Sequence, residues 1–462
     1  MTSSAIAKLR DWPDDTVALT LVWSAHLILG IAMSHSGPIA NLHAFVTLFI
    51  ALIVGLTARQ PVSVAYMAAY LVGSEVLWRI THASVFYETG KYGIAACFLL
   101  ALMRVKKVKI SMGAWIYFGL LIPAIFVTIA STHASLRLMR MTLSFHMSGP
   151  LALMTSMWFF ANVKLTRAEI WRVTLYLVTP ILAVVALTVF ATQTAADLEF
   201  TTESNFITSG GFGPNQVSAV LGLAATLLLL YQAQERMHLL RRAIFMAALC
   251  ACIIQSALTF SRGGIYAATG TFVVSIIFLA ADPWARARVV VLVAIVGALA
   301  VLFVIPYLMI LTKGKIGDRF GDSGLTNRGS IMMQDVEVWK KKPFYGAGVG
   351  LSMAYHAGGA APHNEFTRLI ADHGTLGFLA LLTLIGQGLH SFLKAKGVQD
   401  RAFTTAMMMW PLLFLSANGF RIAAPAFIFG IGYMTRRREE PRPPMKVAPS
   451  PPIAAFHPQL SA

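Results

Sequence analysis

Ten positions of this chain, His363 to Asp372, hold one histidine, one arginine and two acidic residues within the stretch PHNEFTRLIADHGTLG at 362–377, just ahead of an apolar run. A neutral imidazole, with an ordinary pKa of about 6.5, can take a proton from a hydroxyl near neutral pH, which makes His363 a candidate general base. A loop histidine also serves as a hydrogen-bonding or capping residue. Glu365, Arg368 and Asp372 stand at i, i+3 and i, i+4 spacings, which pair charges along one helix. A second group could bind an anion. Arg262, in LTFSRGGIYAATG, falls at a turn between two apolar runs, where Gly263 and Gly264 allow a tight bend. A guanidinium at hydrocarbon depth costs roughly 2.5–3.5 kcal/mol, so it must face a cavity, an anion or the interface. Its planar fork of donors matches phosphate oxygens and stays charged at any relevant pH. The plainer role is a snorkelling anchor.

Hydropathy sets the elements that must position these groups. The 462 residues are 57% hydrophobic and 12% charged, with the charge gathered in short clusters between long apolar runs. Each run has about 17–22 residues, the length a helix needs to cross a bilayer. The chain is therefore expected to be all-α and polytopic, with about 12–14 spanning helices running from about 17–35 to about 420–434. With a cytoplasmic N-terminus, one set of alternate loops collects Arg104, Lys106, Lys107 and Lys109, then Lys164, Arg167 and Arg172, then Arg236, Arg241 and Arg242. The C-terminal Arg436, Arg437 and Arg438 fall on the same side, as the positive-inside rule asks. The net charge of +17 is then explained by anchors beside the membrane. No basic stretch is interleaved with aromatics, which argues against nucleic acid as a partner. KLRDWPDD is followed by an apolar run without a small-residue cleavage site, so the first run is expected to remain as a signal anchor. Cys97, Cys250 and Cys252 lie within apolar runs, which excludes a disulfide framework and offers no clustered metal ligands.

Polar residues exceed what turns need in two segments of the outer face, 192–215 and about 311–373. In the second, Arg328 opens a segment whose Ile331, Met332, Val336 and Trp339 recur at helical spacing, an amphipathic helix expected to lie along the membrane surface. Lys340, Lys341 and Lys342 would then meet lipid headgroups. The glycines Gly346, Gly348 and Gly350 lack a preceding strand and read as a flexible turn rather than a nucleotide loop. Pro362 and Asn364 start a short helix and Gly374 ends it, with His373 as a capping or interfacial residue. The Pro-rich tail at 435–462 is expected to be disordered and cytoplasmic.

Taken in order, SGGFGPNQVSAVLGLA, LTFSRGG, NRGSIMMQDVEVWKKKPFYGAGVG and PHNEFTRLIADHGTLG, over about 205–390, resemble the bacterial O-antigen ligase and O-antigen polymerase superfamily of integral membrane glycosyltransferases. The resemblance implies a GT-C-like core at 201–434 behind N-terminal helices at 1–200, which match only in being a series of helices. It implies an inner-membrane enzyme with its site in the periplasm, a polyprenyl diphosphate-linked oligosaccharide as donor, a glycan or lipid as acceptor, and neither metal nor cofactor. By the same resemblance Arg262 and Arg328 hold the donor's diphosphate and His363 is the base. Asn215 matches a polar position at the outer end of a helix. Arg137 and Arg140 either add to the anion site or anchor at the interface, and Glu365 is a possible accessory. The sequence departs from many members in carrying NRG around Arg328, and Phe366 and Thr367 in HNEFTRL, which leaves acceptor contacts open. An O-antigen or exopolysaccharide polymerase is the leading reading, a ligase acting on lipid A core is second, and a transporter using Glu75 in LVGSEVLWRI is the reading from another class.

Overall fold

The computed structural model describes residues 12–131, 135–321 and 328–434; the tail at 435–462, with Arg436, Arg437 and Arg438, lies outside the described residues. Those residues form helices α1 (Thr16–His35), α2 (Gly37–Thr57), α3 (Pro61–Ile80), α4 (Thr89–Leu102), α5 (Met112–Ser131), α6 (Leu136–Asn162), α7 (Arg167–Thr194) and α8 (Pro214–Gln234). The series continues with α9 (Leu239–Leu258), α10 (Arg262–Leu279), α11 (Pro283–Leu311), α12 (Lys315–Gly321), α13 (Arg328–Lys341), α14 (Glu365–Lys394), α15 (Val398–Asn418) and α16 (Ala424–Tyr433). The protein is an all-α, multi-pass membrane protein.

Among the described residues, nine helices are long and apolar enough to cross a membrane by length and composition. Three more, α3, α6 and α15, have 20, 27 and 21 residues but are more polar. They carry Glu75 and Arg79, Arg137, Arg140 and His146, and Asp400 and Arg401. Polar groups within a span survive by facing protein rather than lipid, and α3 does so: Glu75 is 2% exposed and ion-paired with Arg79 at 2.5 Å. The apolar helices α4 and α16, with 14 and 10 residues, complete the set expected from hydropathy.

Helix α8 is the axis of the core, with 94% of its apolar window buried, whereas α11 has 11% and faces outward. It packs against α9 and α10, and α10 packs in turn against α15. Between α8 and α10 the backbones meet through small residues, because without a hydrophobic drive between helices close van der Waals approach must hold them. A Cβ on Gly222 would lie 2.5 Å from the Gly264 carbonyl oxygen, and one on Gly264 would strike Ser218. Gly264→Val is expected to prise α10 from α8 and carry Arg262 with it. A fall in the thermal inactivation midpoint of the purified protein would show this; an unchanged midpoint would refute it.

Candidate active site

The turn from α9 to α10 carries Arg262 on the first position of α10. Ser261, just before it, donates from its hydroxyl to Asn215 Oδ1 at 2.6 Å, and Ser218 Oγ donates to the Ser261 carbonyl at 2.9 Å. Asn215 thus ties the N-terminus of α8 to the arginine's turn. Phe260, fully buried, has φ 56, a left-handed conformation that costs a bulky residue of order 1–3 kcal/mol and concentrates at functional sites. Its carbonyl accepts from Arg319 Nε at 2.9 Å, which draws α12 onto the same turn.

Arg328, at the first position of α13, is half-buried, and its pKa is lowered by burial first and then by Arg319, Arg262 and Arg421. His363 feels the same field. Burial, then Arg421, then Arg328 push its pKa down to about 4, so at neutral pH the ring is uncharged and able to accept a proton. Arg421 and Arg328 act on the imidazole, and Arg262 and Arg319 act on Arg328 in turn, so guanidinium groups from four separate segments converge on this region. Such a convergence suits an anion. Among the described residues no hydrogen bond holds the His363 ring.

The segment after His363 folds as its spacing implies. Asn364 caps α14, its Oδ1 accepting from Phe366 N at 2.8 Å and Thr367 N at 3.3 Å. Arg368 bonds both carboxylates, Glu365 Oε2 from Nε at 3.0 Å and Asp372 Oδ2 at 2.8 Å. All three residues are at most 5% exposed. Glu365 is therefore half of a buried pair and also walls a cavity. Asp372 also accepts from Gly350 N at 3.0 Å and Ser352 N at 3.2 Å, so the glycine turn is pinned to α14. Gly374, φ 64, breaks the helix where Gly346 crosses it; a Cβ there would lie 2.6 Å from Gly346 N. His373, expected at the interface or as a cap, is instead 1% exposed, because the glycine turn and α5 cover this junction.

The amphipathic helix α13 packs against α14, with Trp339 stacked on Phe378 at 6.2 Å. The reason is Asp335, fully buried on the same face: its Oδ1 bonds His356 Nε2 at 2.9 Å and its Oδ2 accepts from the Thr367 hydroxyl at 2.7 Å. A carboxylate with such partners cannot face lipid. It latches the helix bearing Arg328 to the segments on either side of His363. Asp335→Asn leaves His356 or Thr367 short of an acceptor, at a cost of about 1–3 kcal/mol. The expected result is a lower thermal inactivation midpoint together with reduced turnover; an unchanged midpoint would contradict the latch.

Two spaces open beside the arginines. A mostly apolar groove of about 290 Å³ runs between α8, α9, α10 and α11, and Ile265, Ala268, Thr269 and Phe272 line it, one helical face directly following Arg262. A larger cavity of about 990 Å³ lies on the other side, walled by Pro362, Glu365, Arg368 and Arg421 and by residues of the α3–α4 loop and the start of α6. Arg140 lines this cavity, while Arg137 is exposed at the first turn of α6. The structure thus gathers Arg262, Arg328 and His363, sets Asn215 beside Arg262, and places Glu365 and Arg140 on the cavity. Reading the sequence missed Arg421, Arg319 and Asp335. Arg421, between the apolar runs of α15 and α16, repeats the signal that singled out Arg262.

Among the described residues, no group of three or more metal-ligating side chains is assembled. No curated protein matches the chain. Residues 245–382 match the family model described as O-antigen ligase, a stretch that holds Arg262, Arg319, Arg328 and His363. The segment that bears the arginines and the histidine is thus similar to the O-antigen ligase family, in keeping with an O-antigen ligase/polymerase-type protein.

Proposed function

We propose that the protein transfers a glycan from polyprenyl diphosphate to an acceptor hydroxyl on the periplasmic side of the inner membrane. The observation that carries this reading is the pair Arg328 and Arg421 acting on a neutral His363, with Arg262 and Arg319 acting on Arg328. Negative charge grows on a departing diphosphate, and preorganised cations stabilise it most in a site that water has left. The apolar groove beginning beside Arg262 suits the prenyl tail. In the reaction His363 takes the proton of the acceptor hydroxyl as its oxygen attacks the anomeric carbon. The bond from that carbon to the diphosphate oxygen breaks, the configuration inverts, and polyprenyl diphosphate leaves held by the arginines. Proximity of donor and acceptor contributes up to roughly 7–11 kcal/mol, and the base adds about 10²- to 10⁴-fold.

Within this class we read the protein as a polymerase, in which the acceptor is a second lipid-linked glycan; the GGFGPNQVS and HNEFTRL segments support it. The match described as O-antigen ligase favours a second reading, transfer to lipid A core. Purified protein given a synthetic polyprenyl diphosphate-linked oligosaccharide, with and without lipid A core, separates the two. Longer lipid-linked chains without lipid A are expected; product only when lipid A core is present would establish the ligase. Solute uptake into vesicles that depends on Glu75 and survives Arg262→Ala would instead support a transporter. Glu75, held by Arg79 and by the Ala423 N–H at 2.6 Å, is well occupied as a structural anchor.

A further inference from the structure

The cavity of about 990 Å³ is far larger than the reacting hydroxyl needs, and five charged side chains, Glu88, Arg140, Glu365, Arg368 and Arg421, line it. Its wall includes Glu88 and Arg140, and burying such charges against a hydrocarbon chain is costly. The separate apolar groove beside Arg262 already suits that chain. Aromatic side chains also line it, among them Phe86, Tyr92 and Phe145, and Phe86 is 60% exposed. Rings offer flat faces to the C–H side of a sugar, while carboxylate and guanidinium groups bond its hydroxyls. Glu88 has capacity to spare, since its side chain caps no helix and makes no hydrogen bond among the described residues. The cavity also approaches the reaction centre, because its wall holds Pro362, the residue before His363, and Arg421, whose charge acts on His363.

We infer that this cavity is the binding site for the acceptor's sugar residues, and that the α3–α4 loop and the first turns of α6 select the acceptor. The inference rests on the glycosyltransferase reading above and names the part of the chain that sets its specificity. Phe86, Glu88, Tyr92, Arg140 and Phe145 all lie outside residues 245–382, the stretch that matches the family model. Donor chemistry and acceptor choice are thus carried by different parts of the chain. A site built to bond hydroxyls discriminates strongly against a sugar that lacks one, since its own polar groups are then left unpaired.

The test uses full-length protein, the synthetic lipid-linked donor, and the same repeat as its octyl glycoside, which can accept but not donate. Met141 lines the cavity and is 54% exposed, so Met141→Trp fills space without disturbing the core. Both Met141→Trp and Glu88→Gln are expected to raise the KM for the octyl glycoside at least tenfold while the donor KM stays within twofold. An acceptor KM that stays within twofold in both variants, or a donor KM that rises in parallel, would overturn the inference. So would failure of the wild-type protein to use the octyl glycoside while it still lengthens lipid-linked chains. If the wild-type protein transfers to no acceptor at all, it is the glycosyltransferase reading that falls.

Discussion

Arg328→Ala is expected to weaken binding of polyprenyl diphosphate at least tenfold and to lower kcat/KM by about 10²- to 10⁴-fold. A hydrogen bond to a charged group contributes about 1.5–3 kcal/mol to binding, roughly 10- to 150-fold, and a donor aimed at growing charge adds about 10²- to 10³-fold to the rate. The guanidinium stands at the head of α13 with Arg319, Arg262 and Arg421 around it. That setting gives the variant a second signature. Added diphosphate should stabilise the parent more than the variant, because a ligand raises stability by its occupancy of the folded state. Arg328→Lys restores the charge but not the planar fork and should recover only part of the loss. Binding of undecaprenyl diphosphate measured by equilibrium titration checks the first claim, and an affinity within twofold of the parent would end the diphosphate role of this residue.

His363→Ala is expected to cost about 10²- to 10⁴-fold in turnover while donor affinity changes little, since in the proposed reaction the base acts on the acceptor hydroxyl and the arginines hold the donor. Turnover within about threefold of the parent would remove His363 from the base role. The pH dependence carries more detail. In the empty site the imidazole titrates at about 4, so kcat/KM should be flat through neutrality and fall only as pH drops towards 4. The depression arises partly from Arg421 and Arg328, and a bound diphosphate offsets those charges. The imidazole pKa should therefore rise when donor binds, and the acid limb of kcat should sit at higher pH than that of kcat/KM. Donor binding then takes up protons between the two values, which calorimetry in buffers of different ionisation enthalpy reads directly. A base with a higher pKa is also the stronger base, so the donor switches on the group that activates the acceptor. Coincident limbs, or an acid limb that persists unchanged in His363→Asn, would count against this coupling.

Much of the candidate site was legible along the chain, and the legible parts share one property. Arg262 could be singled out because an arginine between apolar runs demands a partner whatever the fold. Glu365, Arg368 and Asp372 were readable as ion pairs because i, i+3 and i, i+4 neighbours meet on any helix. The Asn364 start and Gly374 end followed from capping chemistry, which is equally local. Asp335 escaped for the converse reason. A polar residue between Ile331 and Val338 breaks an apolar stripe, and its partners His356 and Thr367 arrive from 21 and 32 residues away.

The sequence by itself determined the all-α membrane architecture, the order of its helices, and the kinds of side chain available for anion binding and proton transfer. These follow from partition into lipid and from contacts within a few residues, both of which act on a segment regardless of its distant neighbours. Only the tertiary structure decided that Arg328 and Arg421 act on His363 with Arg262 and Arg319 beside Arg328, that α13 is tied to α14 through Asp335, and that the α3–α4 loop and α6 wall one cavity together with Pro362 and Arg421. Electrostatic fields and cavities depend on distances between helices, and those are set by close packing such as that of Gly222 and Gly264 between α8 and α10.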